Sequence, residues 1–206
     1  MGQSALEAIT GPASVGKPGV AVLLLGFLLL AAAMAFMWWR IRDHAEPRGK
    51  ALRAPTMRGF TLQAIGFAAV AFGPVKITLQ SASAAALGQA VTVAILMGFC
   101  LCLFATSVFA LKKNWSFSAR TRSDHDLVTW GPFATIRHPI YTGLFAALLA
   151  IAVAFGHWRG FLLALPLFWY GTWLRAVAEE SVLRERFGDD YERYAARVKR
   201  FVPGVF

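Results

Sequence analysis

Two uninterrupted apolar runs constrain what this chain can become. Pro18 to Trp39 carries no charge over 22 residues, and Ala84 to Leu111 carries none over 28. A helix needs about 20 residues to cross the hydrocarbon core of a bilayer, so each run is long enough for one crossing. The rest of the 206-residue chain fits the same environment, with 57% hydrophobic and only 16% charged residues.

Three further apolar segments read as spans: Gly59 to about Leu79, Ile140 to Gly156, and Phe161 to about Leu174. The last two are joined by His157-Trp158-Arg159-Gly160, which predicts a tight interfacial turn with an aromatic anchor and hence a helical hairpin. The expected architecture is all-α. It is a single polytopic membrane domain over 1–206, with about five transmembrane helices and a C-terminal amphipathic helix. Residues 1–111 supply three spans, and 112–206 supply a loop, the hairpin and the C-terminal helices. Only Lys17 gives positive charge before the first run, which ends in Trp38-Trp39-Arg40 and reads as a retained span rather than a cleaved signal.

Charge gives an independent test of that topology. Of 21 Lys and Arg residues, six lie in 40–58, five in 112–137 and seven in 175–206. An outside N-terminus with five crossings puts all three basic segments, and the C-terminus, on the cytoplasmic face, as the positive-inside tendency requires. The net charge of +10 is then explained by topology signals and contacts with anionic membrane lipids, not by nucleic acid. The Ala- and Arg-rich composition points to a bacterial inner membrane.

Several features carry no chemistry. Gly73-Pro74 predicts a kink or early stop in the second span, with Lys76 snorkelling to the interface and no functional content there. Cys100 and Cys102 project about 200° apart on a helix, which gives neither a disulfide nor a metal site. His44, His125, His138 and His157 show no ligand spacing, so no metal is expected. Gly143, Ala146, Ala147, Ala150 and Ala154 form a small-residue stripe suited to close helix packing in lipid.

Two polar clusters remain. Arg137-His138-Pro139-Ile140-Tyr141 opens the fourth span, with Pro139 in its first turn, where a missing N–H costs little. The helix N-terminus beside Arg137 and His138 is a ready anion site; as the plain alternative, both are edge anchors. Arg175, Glu179 and Glu180 lie on the fifth helix, which continues through Pro166 to Phe187 and stops at Gly188. Arg175 and Glu179 could equally form a simple i,i+4 ion pair. Asp189 then caps a short helix with Tyr191 and Tyr194 on one face and Arg193, Arg197 and Arg200 on another. That helix lies on the membrane surface or covers the hairpin, its tyrosines acting as interface anchors.

The order Leu127-Val128-Thr129-x-Gly131-Pro132-Phe133, Arg137-His138-Pro139-x-Tyr141, Glu179-Glu180, Phe187-Gly188-x-x-Tyr191-x-x-Tyr194 and Val202-Pro203-Gly204 resembles the isoprenylcysteine carboxyl methyltransferase family and its relatives, the membrane phospholipid methyltransferases. The resemblance spans about 83 residues from Asp124, about 40% of the chain. It implies a membrane enzyme using S-adenosylmethionine in a cytoplasmic-side pocket formed by the last two spans. It also implies cofactor contacts at His125, Asp126, Leu127, Val128, Phe133, His138, Pro139, Ile140, Tyr141 and Glu179, with Glu179 and Arg175 as catalytic residues and Arg175 on the acceptor. Phe133 stands where many members have Tyr, so ring packing without a hydroxyl is expected there.

The implied acceptor is lipophilic and reached from the bilayer, first an isoprenylcysteine-like carboxylate. Such a carboxylate is already ionised at neutral pH and needs orientation by Arg175, not a base. A phospholipid amine or small thiol would need deprotonation, for which Glu180 and His138 are the candidates. A membrane reductase of the sterol-reductase type, using NADPH, is the other enzymatic reading, although no Gly-rich phosphate loop is present. A non-catalytic scaffold is disfavoured by retention of both Arg175 and Glu179.

Overall fold

The computed structural model describes residues 13–41, 53–112 and 126–205. A short strand, β1 (Ser14–Gly16), leads into helix α1 (Lys17–Ile41); α2 (Arg53–Ala71) follows, then β2 (Lys76–Leu79), α3 (Ala84–Leu111), α4 (Pro139–Phe155), α5 (Trp158–Phe187) and α6 (Asp189–Arg197). A single 3-10 turn, Gly131–Ala134, precedes α4. Three helices, α1, α3 and α5, are long and apolar enough to cross a membrane; α4 is apolar but has 17 residues, and α2 carries Arg58 and Gln63. The chain is a multi-pass helical membrane protein.

The boundaries depart from expectation in two places. The second span ends at Ala71, not near Leu79: Gly73-Pro74 stops the helix, and Lys76–Leu79 pairs in parallel with Ser14–Gly16, a small strand element inside an otherwise helical chain. Lys76 is exposed on that strand. The turn between α4 and α5 is also shorter than expected. Gly156 caps α4 at φ 70°, a conformation other residues seldom adopt, and α5 already begins at Trp158. His157 sits in this turn, buried, with Nδ1 2.7 Å from the Val70 carbonyl oxygen and Nε2 3.2 Å from that of Pro74.

Consecutive helices are not each other's main partners. Although α4 and α5 follow one another directly, α4 packs chiefly on α3 and α5 on α2. The α3–α4 seam uses the small-residue stripe: Ala147, Ala150 and Ala154 are fully buried, and a Cβ on Gly143 would stand 3.3 Å from the Cys100 carbonyl oxygen. Cys100 is buried in that seam, while Cys102 is exposed. The α2–α5 seam is closer still, because glycines meet there: a Cβ on Gly171 would stand 2.6 Å from the Gly59 carbonyl oxygen. Between α4 and α5 the gap is filled by rings instead, with Phe145 5.1 Å from Trp169 and 5.8 Å from Phe168.

The glycine seam gives a stability prediction. Gly171→Val should force α2 and α5 apart and cost about 2 kcal/mol or more, in the range of overpacked cores. Gly88→Ala on α3, where nothing lies within 4 Å, should be neutral or slightly stabilising. Thermal unfolding of both variants in detergent tests the contrast, and equal melting temperatures would reject it.

Candidate active site

The functional end of the bundle is organised by one buried carboxylate. Glu180, with its side chain 0% exposed, receives a bidentate contact from Arg200, with Nε and Nη2 each 2.8 Å from a carboxylate oxygen. His138 Nε2 lies 3.2 Å away, Arg184 Nη2 3.3 Å and Arg137 Nη2 3.5 Å. A buried carboxylate needs such partners, since desolvating a charge costs several kcal/mol. Its surroundings come from three separate stretches of chain.

Backbone pairing holds those stretches in register. The Arg137 N–H donates to the Lys199 carbonyl at 2.8 Å, and the His138 N–H to that of Arg200 at 2.9 Å. Thr142 Oγ1 donates to the Phe201 carbonyl at 3.0 Å, and the Tyr194 hydroxyl to the Phe133 carbonyl at 2.7 Å. The C-terminal segment therefore closes over the start of α4. Tyr191 and Tyr194 are buried beneath it, so they pack against the protein and are not membrane-surface anchors. Burial, together with the Glu180 carboxylate, pushes the Tyr191 hydroxyl up to about 12.

These contacts revise two expectations. The N–H groups of Arg137 and His138 are already engaged by the C-terminal segment and so do not serve an anion, while Arg137 Nε is left buried without a hydrogen-bond partner among the described residues. Glu180, fully enclosed among cations, is not placed to act as a base.

Glu179 is different. Its side chain is 30% exposed, its carboxylate accepts a hydrogen bond from the Tyr141 hydroxyl, and His138 Nδ1 lies 3.5 Å away. His138 is thus held between two carboxylates and stacks on Tyr141, with ring centroids 5.7 Å apart. Arg175 lies beyond Tyr141, its guanidinium 5.1 Å from that ring's centroid. Arg175 Nη1 also donates to Gln63 Oε1 on α2 at 2.9 Å, so its partners extend well past its own helix. Gln63 was invisible to motif reading. A lone amide in an apolar span, one that α2 was expected to leave without function, was the available signal.

The structure brings His138, Tyr141, Arg175 and Glu179 into one cluster, with Pro139 starting the helix that carries Tyr141 and Ile140 half-buried beside it. Leu127 and Val128 are half-buried and outside that polar cluster, Asp126 is exposed, and His125 lies outside the described residues. Phe133 contributes its carbonyl to Tyr194. No group of three or more His, Cys, Asp or Glu side chains able to hold a metal occurs among the described residues. An open groove of about 440 Å³ lies elsewhere, toward the opposite end between α1, α2 and α4, lined by Leu24, Phe27, Phe67, Phe72, Ile151 and Phe155.

The profile of the phospholipid methyltransferase family matches residues 88–190, half of the chain. The chain belongs to the phospholipid methyltransferase family. Among curated proteins it is similar to protein-S-isoprenylcysteine O-methyltransferases. The one from Schizosaccharomyces pombe is 34% identical over 112 residues, covering 52% of this chain and 48% of that protein. The one from Tribolium castaneum is 28% identical over 120 residues, covering 53% and 41%. The chain spans about half the length, or less, of these curated relatives. A solved eukaryotic intramembrane Ras methyltransferase, isoprenylcysteine carboxyl methyltransferase, aligns over 98% of this chain and 96% of that one, at 17% identity and a TM-score of 0.44, too weak a likeness to argue from. The stretch matched to the phospholipid methyltransferase family holds the whole cluster around Glu179. Gln63 and Arg200 fall outside it.

Two outcomes follow from the geometry. Glu180→Gln should destabilise the fold by about 3 kcal/mol or more, because it leaves several cationic groups around a neutral side chain; unfolding in detergent reads this directly. The second concerns His138. Burial alone would lower its pKa, but the hydrogen bonds and charges of Glu179 and Glu180 outweigh that and raise it. A value raised above the ordinary histidine value of about 6.5 gives stability that is complete below that pH and lost as pH rises through the folded-state value. Wild-type melting temperature should therefore fall across that window relative to His138→Asn, and parallel curves would reject the assignment.

Proposed function

We propose that this protein is an S-adenosylmethionine-dependent membrane methyltransferase whose acceptor is a lipophilic carboxylate of the isoprenylcysteine type. The observation that carries the reading is the gathering of opposite charges around one ring: partly exposed Glu179, which accepts from the Tyr141 hydroxyl, and Arg175, whose guanidinium lies 5.1 Å from the Tyr141 ring centroid. The carboxylate suits a cationic cofactor and the guanidinium an anionic acceptor.

The residues present fit S-adenosylmethionine. Glu179 offers a partly exposed carboxylate, held in place by Tyr141, that can receive a cation. Arg137 Nε is buried with no hydrogen-bond partner among the described residues, a donor suited to the cofactor's carboxylate. When bound, the cofactor supplies an electrophilic methyl group on a cationic sulfur. Arg175 orients the acceptor carboxylate, which is ionised at neutral pH and needs no base. Of the two candidate bases that an amine or thiol acceptor would need, Glu180 is enclosed among cations and only His138 remains. We further propose five crossings in a bacterial inner membrane, with the N-terminus outside and Glu179, α6 and the C-terminus on the cytoplasmic side.

Calorimetric titration of the detergent-purified protein with S-adenosylhomocysteine, run beside NADPH, tests this. Saturable binding of the former, weakened at least about tenfold in Glu179→Gln, is expected, in line with the loss of a charge-assisted hydrogen bond. Arg175→Ala should retain that binding and lose turnover of an anionic acceptor. Binding of NADPH alone would transfer the assignment to a reductase.

A further inference from the structure

One buried polar contact of the bundle is made from α2, outside the stretch that matches the family. Gln63 is 4% exposed, and both ends of its amide are used: Nε2 donates to Thr172 Oγ1 at 2.8 Å, and Oε1 accepts from Arg175 Nη1 at 2.9 Å. Thr172 is itself fully buried, and in this arrangement its hydroxyl receives the NH2 end and turns the amide oxygen to Arg175. The stem of Arg175 is seated as well as its head. A Cβ on Gly59 would stand 2.5 Å from Arg175 Cγ, so the stem lies across a position that admits no side chain. The guanidinium then sits 6.0 Å from the Phe60 ring centroid and 5.1 Å from that of Tyr141. Phe60 is 55% exposed on the outer surface of α2, whereas Tyr141 is 5% exposed.

Chemistry explains why the partner is an amide. A carboxylate at position 63 would close an ion pair with Arg175 and leave no net charge for a ligand. A neutral carbonyl oxygen fixes the guanidinium without adding a second carboxylate to Glu179 four residues along its helix, and so leaves more of its charge for an anion in apolar surroundings. We infer that Gln63, locked by Thr172, is the positioning residue of an anion site at the α2–α5 seam, which takes the carboxylate of an amphiphile whose apolar tail lies in the bilayer along Phe60. This rests on the methyltransferase reading for the identity of the amphiphile, but not for the existence of the site.

The test uses the full chain in lipid nanodiscs and two probes, N-acetyl-S-farnesylcysteine and its methyl ester, with S-adenosylhomocysteine titrated in parallel. Wild type should bind the acid about tenfold or more tightly than the ester, as expected for a charge-assisted contact. Gln63→Glu, nearly isosteric, should abolish that preference while S-adenosylhomocysteine affinity stays within about twofold. Thr172→Val, which frees the amide to turn, should reduce the preference partway and serves as the second variant if Gln63→Glu does not fold. Retention of the full preference in the folded variants, or its absence in wild type, would overturn the inference. Wild type that fails to bind S-adenosylhomocysteine, yet shows an acid preference that Gln63→Glu removes, would sink the methyltransferase reading and leave the anion site standing.

Discussion

The enclosure of Glu180 is the interaction on which the functional end of the protein depends. Desolvating a carboxylate costs several kcal/mol and is offset only by good geometry with opposite charges. Arg200 supplies the bidentate contact, and Arg137, His138 and Arg184 complete the shell. Those residues reach Glu180 only if the C-terminal segment lies beside the start of α4, where the backbone pairs of Arg137 with Lys199 and His138 with Arg200 hold it. One buried charge thereby draws together parts of the chain that no single helix contact would join.

That enclosure also defines its neighbour. Successive residues on a helix point about 100° apart, so Glu179 shares only His138 with the shell of Glu180. It emerges half-exposed, held by Tyr141 and flanked by His138, while the strong cations are committed next door. Tyr141 then links Glu179 to Arg175, and Gln63 links Arg175 to α2. The result is a continuous polar path from the closed end of the bundle into its apolar body. Charges within such a body are costly, and the glycine seam between α2 and α5 is what lets an arginine stem run there without separating the helices.

Much of this was legible in the chain because lipid imposes a simple rule. The charge-free run from Ala84 to Leu111 is the observed α3, residue for residue, and Pro139, Gly156 and Gly188 mark helix ends through their backbone chemistry. What was not legible depends on pairing. Apolarity does not say which helix a span leans on: α4 and α5 are joined by the expected tight turn, but their main packing partners are α3 and α2. The two adjacent glutamates are chemically identical in sequence and separate only by burial, and Tyr191 and Tyr194 show the periodicity of an exposed amphipathic face although they are core. Gln63 belongs to no pattern: its partners lie more than a hundred residues away.

These residues lie on both sides of the boundary of the family match. Glu179, Tyr141 and His138 all fall within the stretch common to the family, and so does Arg175 itself. The group that aims Arg175 belongs to α2 and lies outside that stretch. The polar cluster is thus built from two sources, with His138, Tyr141, Arg175 and Glu179 on α4 and α5 and the amide that holds Arg175 on α2. Glycine at 59 admits the arginine stem, an amide at 63 sets its direction, and an aromatic at 60 meets the lipid-facing side. Three positions within two turns of one helix thus set how the Arg175 side chain is seated in the apolar body of the bundle.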